Sequence, residues 1–391
     1  MKIKFRRINC AVNKIEALKL LEEIAIRPSH SSPRKVNKPL AIYGAGAFGK
    51  MAKEYFDNIG IKIAFIVDEN AEKHRSDVFW NNKILLAPNE VSHKEKKDVL
   101  LAICVGKIPY LDVVTPLYLS GWLDIVPFYT ISAGYRDKHP LGNGWFTDGL
   151  SFVDLDGIQE VLMCYDDDIS RAHHIQFLAW HHLQEEWSFD KAPIIPDNRY
   201  FIPEITRLLH EKEVFLDLGA HHGSVIESFI KIVNQYFREI IAVEPDNANL
   251  QKLKLCVASY PLEIRSKIKI LPFVIGEECK LLNFYEGLDF ASQVCKYGNT
   301  QFIAKSIDSL SLKATFIKAH LEGSEMGALL GGIQTVIEFR PLIAMTVYHN
   351  RLGLWECSKI MMDEYSKYGY RFLFRLHSWH GSGAVLYLIN R

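Results

Sequence analysis

The sequence predicts an α/β chain built from two open parallel sheets in tandem, each wound by helices. Two observations carry this reading. A short apolar strand, a glycine-rich turn, a helix and a second apolar strand ending in an acid occur twice, in LAIYGAGAFGKMAKEYFDNIGIKIAFIVDEN from Leu40 and in VFLDLGAHHGSVIESFIKIVNQYFREIIAVEPD from Val214. Beyond each unit, strand-like and helix-like segments go on alternating, the pattern of parallel sheets with helical crossovers. A length of 391 residues is ample for two or three domains.

Composition sets the class. With 48% hydrophobic and 24% charged residues the chain is an ordinary globular one. Lys plus Arg and Asp plus Glu both number 46, so no net field draws nucleic acid. Seven scattered cysteines without a C-x-x-C pair, five of them among apolar neighbours that read as core, point to a reducing compartment and neither a disulfide framework nor a zinc site. The basic start, MKIKFRRINCAVNKIEALKLLEEIAI, has no unbroken apolar run. Ile15, Leu18, Leu20, Leu21 and Ile24 fall at helical spacing, so it reads as an amphipathic helix and not a signal peptide. No segment approaches the roughly 20 apolar residues of a membrane span, and a cytoplasmic location is expected.

In order along the chain, residues 1–38 read as this helix plus a polar linker, Arg27–Pro39, rich in Pro and Ser. Residues 39–138 form the first Rossmann-like domain. Gly44, Gly46 and Gly49 spell Gly-x-Gly-x-x-Gly straight after a strand, and Asp68 ends the next strand where a ribose-binding acid belongs. Strands are predicted at Val99–Val105 and Asp124–Phe128. A second nucleotide or sugar nucleotide at this loop is an open expectation, because the same glycines also serve helix-on-sheet packing. An NAD-linked oxidoreductase is disfavoured, since no acid/base partner is visible nearby; His74 and Arg75 fall in a polar loop.

Residues 139–194 read as a bridge: a Gly- and aromatic-rich hinge over His139–Asp156, then a long helical stretch. Asp166–Asp168 with Ser170 suit a helix cap there. His173, His174, His181 and His182 lie too far apart over two turns to bind one metal, and they read as structural. Tyr200 and Phe201 are expected to pack against the second sheet.

In the second unit the turn is Gly219-x-x-x-Gly223 with Asp217 inside the preceding strand. That spacing suits a nucleoside without a pyrophosphate, S-adenosylmethionine first among them. Glu244 ends the second strand, where a carboxylate can accept both ribose hydroxyls. Beyond it the alternation continues: a helix at Asn247–Tyr260, a strand at Ile268–Val274, and a paired excursion of Leu281–Tyr285 with Thr300–Ala304 around Asp289, Ser292 and Gln293. Then come a strand at Thr315–His320, a helix at Ser324–Gly331, a strand at Leu342–Val347, a helix at Trp355–Tyr368, and strands at Tyr370–Leu376 and Ala384–Ile389. With no helix between the last two, the final strand must run antiparallel.

Residues 195–391 resemble the FkbM-type S-adenosylmethionine-dependent methyltransferases. The resemblance rests on FLDLGAHHGS, AVEPD, FIKAHLEGSEMGALLGG and RPLIAMTVYH, in that order. Members with an added N-terminal Rossmann-like domain and a D-x-x-S-R helical bridge extend the likeness over most of the chain. It implies a class I methyltransferase sheet with a reversed last strand, S-adenosylmethionine as cofactor, and methylation of a hydroxyl on a sugar, glycan or related small molecule. The chain departs from the family at His221, where a residue such as Asn is usual, and at Lys318-Ala-His320-Leu-Glu322-Gly323, where His320 replaces an Asp.

On this reading Asp217, Gly219, Ala220, His221 and Gly223 shape the methionine end of the cofactor site. Glu244 and Pro245 take the ribose, and Val274, Ile275 and the residues to Glu277 lie beside adenine. A hydroxyl acceptor needs a base. His320 and His349 each follow a strand at the ligand-binding edge, and an imidazole titrates near neutrality. His320 is preferred because Glu322 can orient it. No metal is expected, and no nucleic-acid partner; the oligomeric state, a homo-oligomer included, is open. The alternative function is an inactive nucleotide- or sugar-nucleotide-binding regulator, with turnover removed by the changes at His221 and His320.

Overall fold

The structure, a computed structural model, describes residues 3–30 and 33–390. The readings at Met1, Lys2 and Arg391, and at Ser31 and Ser32 in the linker, lie outside the described residues.

The first half is a five-stranded, all-parallel sheet. Its spatial order is Leu85–Leu86, Ile63–Val67, Leu40–Tyr43, Leu100–Ile103 and Ile125–Pro127. Leu40–Tyr43 is the point where strand order reverses, so its Gly44 loop opens into the crevice where such sheets bind ligands. Side chains alternate across the sheet, as a period of two requires. Leu40, Ile42, Leu100 and Ala102 join one apolar cluster, and Ala41, Tyr43, Leu101 and Ile103 the other.

The second half is a seven-stranded sheet. Its order is Ile268–Leu271, Glu239–Val243, Val214–Leu218, Phe316–Ala319, Leu342–Thr346, Ala384–Ile389 and Arg371–Leu376. The final strand is antiparallel to both its neighbours, as expected. It is inserted between Leu342–Thr346 and Arg371–Leu376, however, and does not add at the edge. The hairpin brings its fully apolar run AVLYLI, buried throughout, under cover on both sides. Here too the reversal point is the first strand, Val214–Leu218, so both glycine loops sit at equivalent places in their sheets.

One face of the second sheet carries Leu216, Leu218, Ile241, Ile317 and Ile343. It shares a core with Leu20, Leu21 and Ile24 of the N-terminal helix and with Ile158, Val161 and Ile175 of the bridge. The other face carries Phe215, Ile240, Phe316 and Leu342 and packs on Phe201 and Phe229. The bridge and the N-terminal helix are therefore one layer of the second half.

Several sequence expectations are refined. The N-terminal helix is Lys14–Ala25, but Ile15 is on its outer face, and Ala17 takes part in the buried stripe. A strand at Phe5–Ile8 precedes it and pairs in parallel with Glu186–Phe189, inside the stretch read as helical. The bridge divides into Phe152–Cys164 and Asp168–Leu178, the second capped by Asp167, whose carboxylate accepts the Ser170 amide at 2.8 Å. The predicted hinge is pinned: Trp145 stacks on His181 and donates to the Tyr348 carbonyl, and the main chain at Gly142 meets that of His349. The strand read as Ile268–Val274 stops at Leu271. All seven cysteines are free thiols, but only Cys104 and Cys357 are buried. Among the described residues no helix is long and apolar enough to cross a membrane.

Candidate active site

In the second half, the strand Val214–Leu218 is buried along its whole length although Asp217 is in it. Parallel register sets Lys318 of Phe316–Ala319 opposite Asp217. Their side chains are 2% and 0% exposed, and Lys318 Nζ lies 2.9 Å from Asp217 Oδ1. The same ammonium donates to the carbonyls of Leu218 at 3.2 Å and Gly219 at 2.7 Å. Removing either partner of a buried charge pair leaves the other charge uncompensated. Here the lysine's bonds tie down the end of the strand and the start of the turn, while the Asp217 oxygens accept no hydrogen bond and are held by the Lys318 charge.

The turn itself is constrained by sterics. Gly219 has φ +76°, and a Cβ there would stand 2.0 Å from the His320 carbonyl oxygen. Gly223 has φ +95° and would meet Cys256 Sγ at 2.8 Å. Glu244 closes the turn from the neighbouring strand: its carboxylate accepts the amides of His221 at 2.8 Å and Asp246 at 2.9 Å. Burial pushes this carboxyl up to about 7, against the pull of those two amides. His221 has φ +50° and stacks between His222 and Phe290.

The first loop repeats the device. Asp68 accepts the Ala45 amide at 2.7 Å and the Asn70 amide at 2.7 Å. Gly44 has φ +108°, and Gly49 lets the helix Ala47–Asn58 touch the strand, since a Cβ there would fall 1.9 Å from the Gly44 carbonyl oxygen. At Gly46 a Cβ would meet nothing within 4 Å.

The two loops open into one cavity of about 790 Å³, within the size range of small-molecule sites. Gly44, Gly46 and Asp68 line it on one side. Gly219, Ala220, His221, Glu244, Pro245, Val274, Ile275, His320 and Glu322 line it on the other. Phe48 and Tyr129 of the first half, with Leu141 and Asn143 of the segment that follows it, add a further wall; Phe284 and Val294 of the excursion cover Val274, and Phe290 also lines the cavity. Asp217, Gly223, Gly49 and His349 stand behind this lining as supports.

Directly beside the Gly219 loop, on the neighbouring strand, the turn after Phe316–Ala319 is built on two successive left-handed residues, Glu322 at φ +49° and Gly323 at φ +110°. It aims Glu322 back at two imidazoles. His320 Nε2 lies 2.9 Å from Glu322 Oε1, and His320 Nδ1 lies 2.8 Å from the Tyr200 hydroxyl. His349 sits between carboxylates: Nε2 is 3.3 Å from Glu322 Oε1, and Nδ1 is 2.7 Å from Glu325 Oε1. These contacts are off the hydrogen-bond axis and are held by charge. Burial works against the imidazolium of His349, but Glu322 and Glu325 outweigh it and keep the ring protonated well above the usual histidine range. His320 behaves oppositely: burial lowers it to about 3 despite Glu322, so it is neutral. Burial opposes ionisation of Glu322, yet His349 and His320 hold its carboxylate far below the ordinary range.

Among the described residues, two groups bring possible metal donors within 4.8 Å of one another, namely His320, Glu322 and His349, and His221, His222 and Asp289. In both, the two rings stack, at centroid separations of 5.0 Å and 3.5 Å. Each also includes a cation at the carboxylate already, His349 in one and Lys252, 3.4 Å from Asp289, in the other. The four bridge histidines bind main-chain carbonyls: His173 that of Ala192, His174 that of Leu354, His181 those of Trp145 and Gly381, and His182 that of Arg27.

Sequence reasoning missed Lys318 as the partner of Asp217, though a lysine inside the apolar run FIKA was a signal. It gave Tyr200 only a packing role, and it missed Arg199, Tyr348 and Asn143, which reach the cavity from loops, and Phe290, which reaches it from the short 3-10 helix Asp289–Ala291.

Comparison with known proteins agrees with this architecture. The family model of the PglD N-terminal domain matches residues 39–108. The crystal structure of methyltransferase FkbM from Methylobacillus flagellatus KT superposes with a TM-score of 0.58 at 18% identity, covering 96% of this chain and 99% of that one. The chain therefore shares the FkbM-type fold along nearly its whole length, the added N-terminal Rossmann-like domain included. A precorrin-6y C5,15-methyltransferase from Geobacter metallireducens GS-15 (13% identity, 47% and 82% coverage) and a putative caffeoyl-CoA O-methyltransferase from Staphylococcus aureus (12%, 51% and 86%) align at TM-scores of only 0.29, too low to add to the assignment. No curated protein matches the sequence.

Proposed function

We propose that the protein is an S-adenosylmethionine-dependent methyltransferase that methylates a hydroxyl of a sugar, glycan or related small molecule. The observation that carries this is the pairing, in one cavity, of the Gly219–Gly223 turn and Glu244 with His320, which follows the adjacent strand and lies beside that turn. S-adenosylmethionine supplies a methyl group made electrophilic by its sulfonium. The residues fit it: Glu244 offers a carboxylate to the ribose, Val274, Ile275, Phe284 and Val294 offer an apolar slot for adenine, and Gly219 brings the main chain close to the methionine end.

His320, neutral at physiological pH, is the base in this reading. His349, already protonated, has no lone pair to give and acts as a positioning residue that fixes Glu322. Phe48, Tyr129 and Asn143 place the acceptor, which assigns the first half the role of substrate wall. The FkbM-type likeness in fold supports the methyltransferase reading.

Calorimetric titration with S-adenosylhomocysteine tests the cofactor. One-to-one binding is expected, and Glu244→Ala weakens it by about 100-fold, the loss of two charge-assisted hydrogen bonds. A wild-type protein free of co-purified cofactor that gives no heat would refute the reading.

A further inference from the structure

Both nitrogens of His320 are already engaged before any acceptor arrives. The carboxylate of Glu322, 2.9 Å from Nε2, has no proton to give, so Nε2 carries the hydrogen and Nδ1 carries the lone pair. That lone pair faces the Tyr200 hydroxyl at 2.8 Å. A hydroxyl in the cavity cannot reach it without displacing the phenol.

We propose that Tyr200 is the residue that takes the acceptor's proton, at the head of a Glu322–His320–Tyr200 relay. The inference rests on the methyltransferase reading and changes which group touches the substrate. The acceptor oxygen bonds to the methyl carbon as the carbon–sulfur bond breaks, its electron pair passing to sulfur. The acceptor's proton moves to Tyr200 Oη, while the phenol's own proton moves to His320 Nδ1. Charge is conserved: the positive charge lost from the sulfonium appears on the imidazole, 2.9 Å from Glu322. The ring then returns its proton to solvent through the same phenol.

The placement of Tyr200 supports this role. It is a non-glycine residue at φ +70°, a strained conformation that persists where the surroundings over-determine it. Its amide donates to the Tyr387 hydroxyl at 3.0 Å. The Arg199 guanidinium and the Lys318 ammonium lie 5.0 Å and 5.5 Å from its ring; burial holds the phenol well above its ordinary range despite Arg199, so it enters the relay with its proton on. The ring reaches the cavity although the residue is 5% exposed. Tyr348 is the internal control. Its hydroxyl is 3.3 Å from Nε2, on the proton-bearing side of the ring, and it accepts from Arg199 Nη2 at 2.8 Å. It cannot hand a proton to a nitrogen that already has one.

The test begins with nitrogen-15 NMR of histidine-labelled protein, with His320 assigned through His320→Gln. The relay expects an unprotonated, hydrogen-bonded Nδ1 in the wild type that moves toward a free imine nitrogen in Tyr200→Phe and is unmoved in Tyr348→Phe. A protonated Nδ1 overturns it. The second arm measures methyl transfer from labelled S-adenosylmethionine to a panel of methyl glycosides. Tyr200→Phe should lower kcat by about 100-fold with KM and S-adenosylhomocysteine affinity unchanged, and the double variant with His320→Gln should be no slower than either single one. Recovery of the Tyr200→Phe rate at alkaline pH, where the acceptor ionises unaided, supports the relay. Wild-type kcat in Tyr200→Phe overturns it. If no glycoside is methylated, the NMR result decides alone. Absence of S-adenosylhomocysteine binding would instead sink the methyltransferase reading and leave the tautomer result standing.

Discussion

The Gly44 and Gly219 loops are the same device fitted for different work. Each follows the strand at which its sheet reverses order, and in each an acid from the next strand accepts a main-chain amide of the turn, Asp68 from Ala45 and Glu244 from His221. They differ in what stands behind them. The Gly219 turn is backed by the buried Asp217–Lys318 pair and faces His320, Glu322 and His349. The Gly44 turn is backed by a strand with no charge in it, LAIY, and faces aromatic rings and an amide. The buried ion pair and the imidazole–carboxylate cluster stand at one loop, and rings and an amide stand at the other. A βαβ turn therefore sets where a ligand can sit, and the residues around it decide what happens there.

Substitutions can break or sharpen this contrast. The largest effect is expected at the buried pair. Lys318→Met strands the Asp217 carboxylate and should lower unfolding stability by about 3–5 kcal/mol in urea titration. Next comes Gly219→Ala, where a methyl group must clear the His320 carbonyl from a left-handed backbone. A loss of about 2–4 kcal/mol together with cofactor binding is expected. Binding retained at wild-type affinity would mean that the turn is not a cofactor cradle.

Acid replacement separates the loops by ligand. Asp68→Ala should leave S-adenosylhomocysteine affinity within about twofold of wild type, set against the roughly 100-fold loss expected for Glu244→Ala. Equal losses in both would erase the division of labour drawn above.

The pH dependence follows from Glu244, whose carboxyl is raised from 4.5 to about 7 by burial. The folded protein holds this proton where the unfolded chain has released it. Its contribution to stability is therefore full below about 4.5 and declines as pH rises toward 7, by up to about 3 kcal/mol, and Glu244→Gln should flatten that slope. Ligand binding runs the other way: a ribose needs the ionised acceptor, so affinity for S-adenosylhomocysteine should fall about tenfold per pH unit below 7. The smallest effect is expected at Gly46→Ala, where nothing lies within 4 Å of the new methyl group. Stability should stay within about 0.5 kcal/mol, and any loss of methyl transfer in this variant would locate the acceptor against the first loop.

Local pattern alone determined much of this protein. The paired βαβ units, the glycines at their turns, Asp68 and Glu244 at their strand ends, and the reversed final strand were all legible, because each depends on spacing within about 30 residues or on the absence of a connecting helix. The Asp167 cap was legible for the same reason. Other features depended on contacts that no local pattern encodes. Lys318 meets Asp217 through sheet register across about 100 residues. The insertion of the last strand inside the sheet, the Phe5–Ile8 pairing with Glu186–Phe189, and the pinned segment around Gly142 are likewise long-range. His320 and His349 are alike in sequence, each a histidine just past a strand. Only the tertiary structure made one neutral and the other a cation, by placing Glu322 and Glu325 on both sides of His349 and a phenol at the free nitrogen of His320. The protonation state of a buried group is set by the charges and dipoles packed around it, and those arrive from segments far apart in the chain.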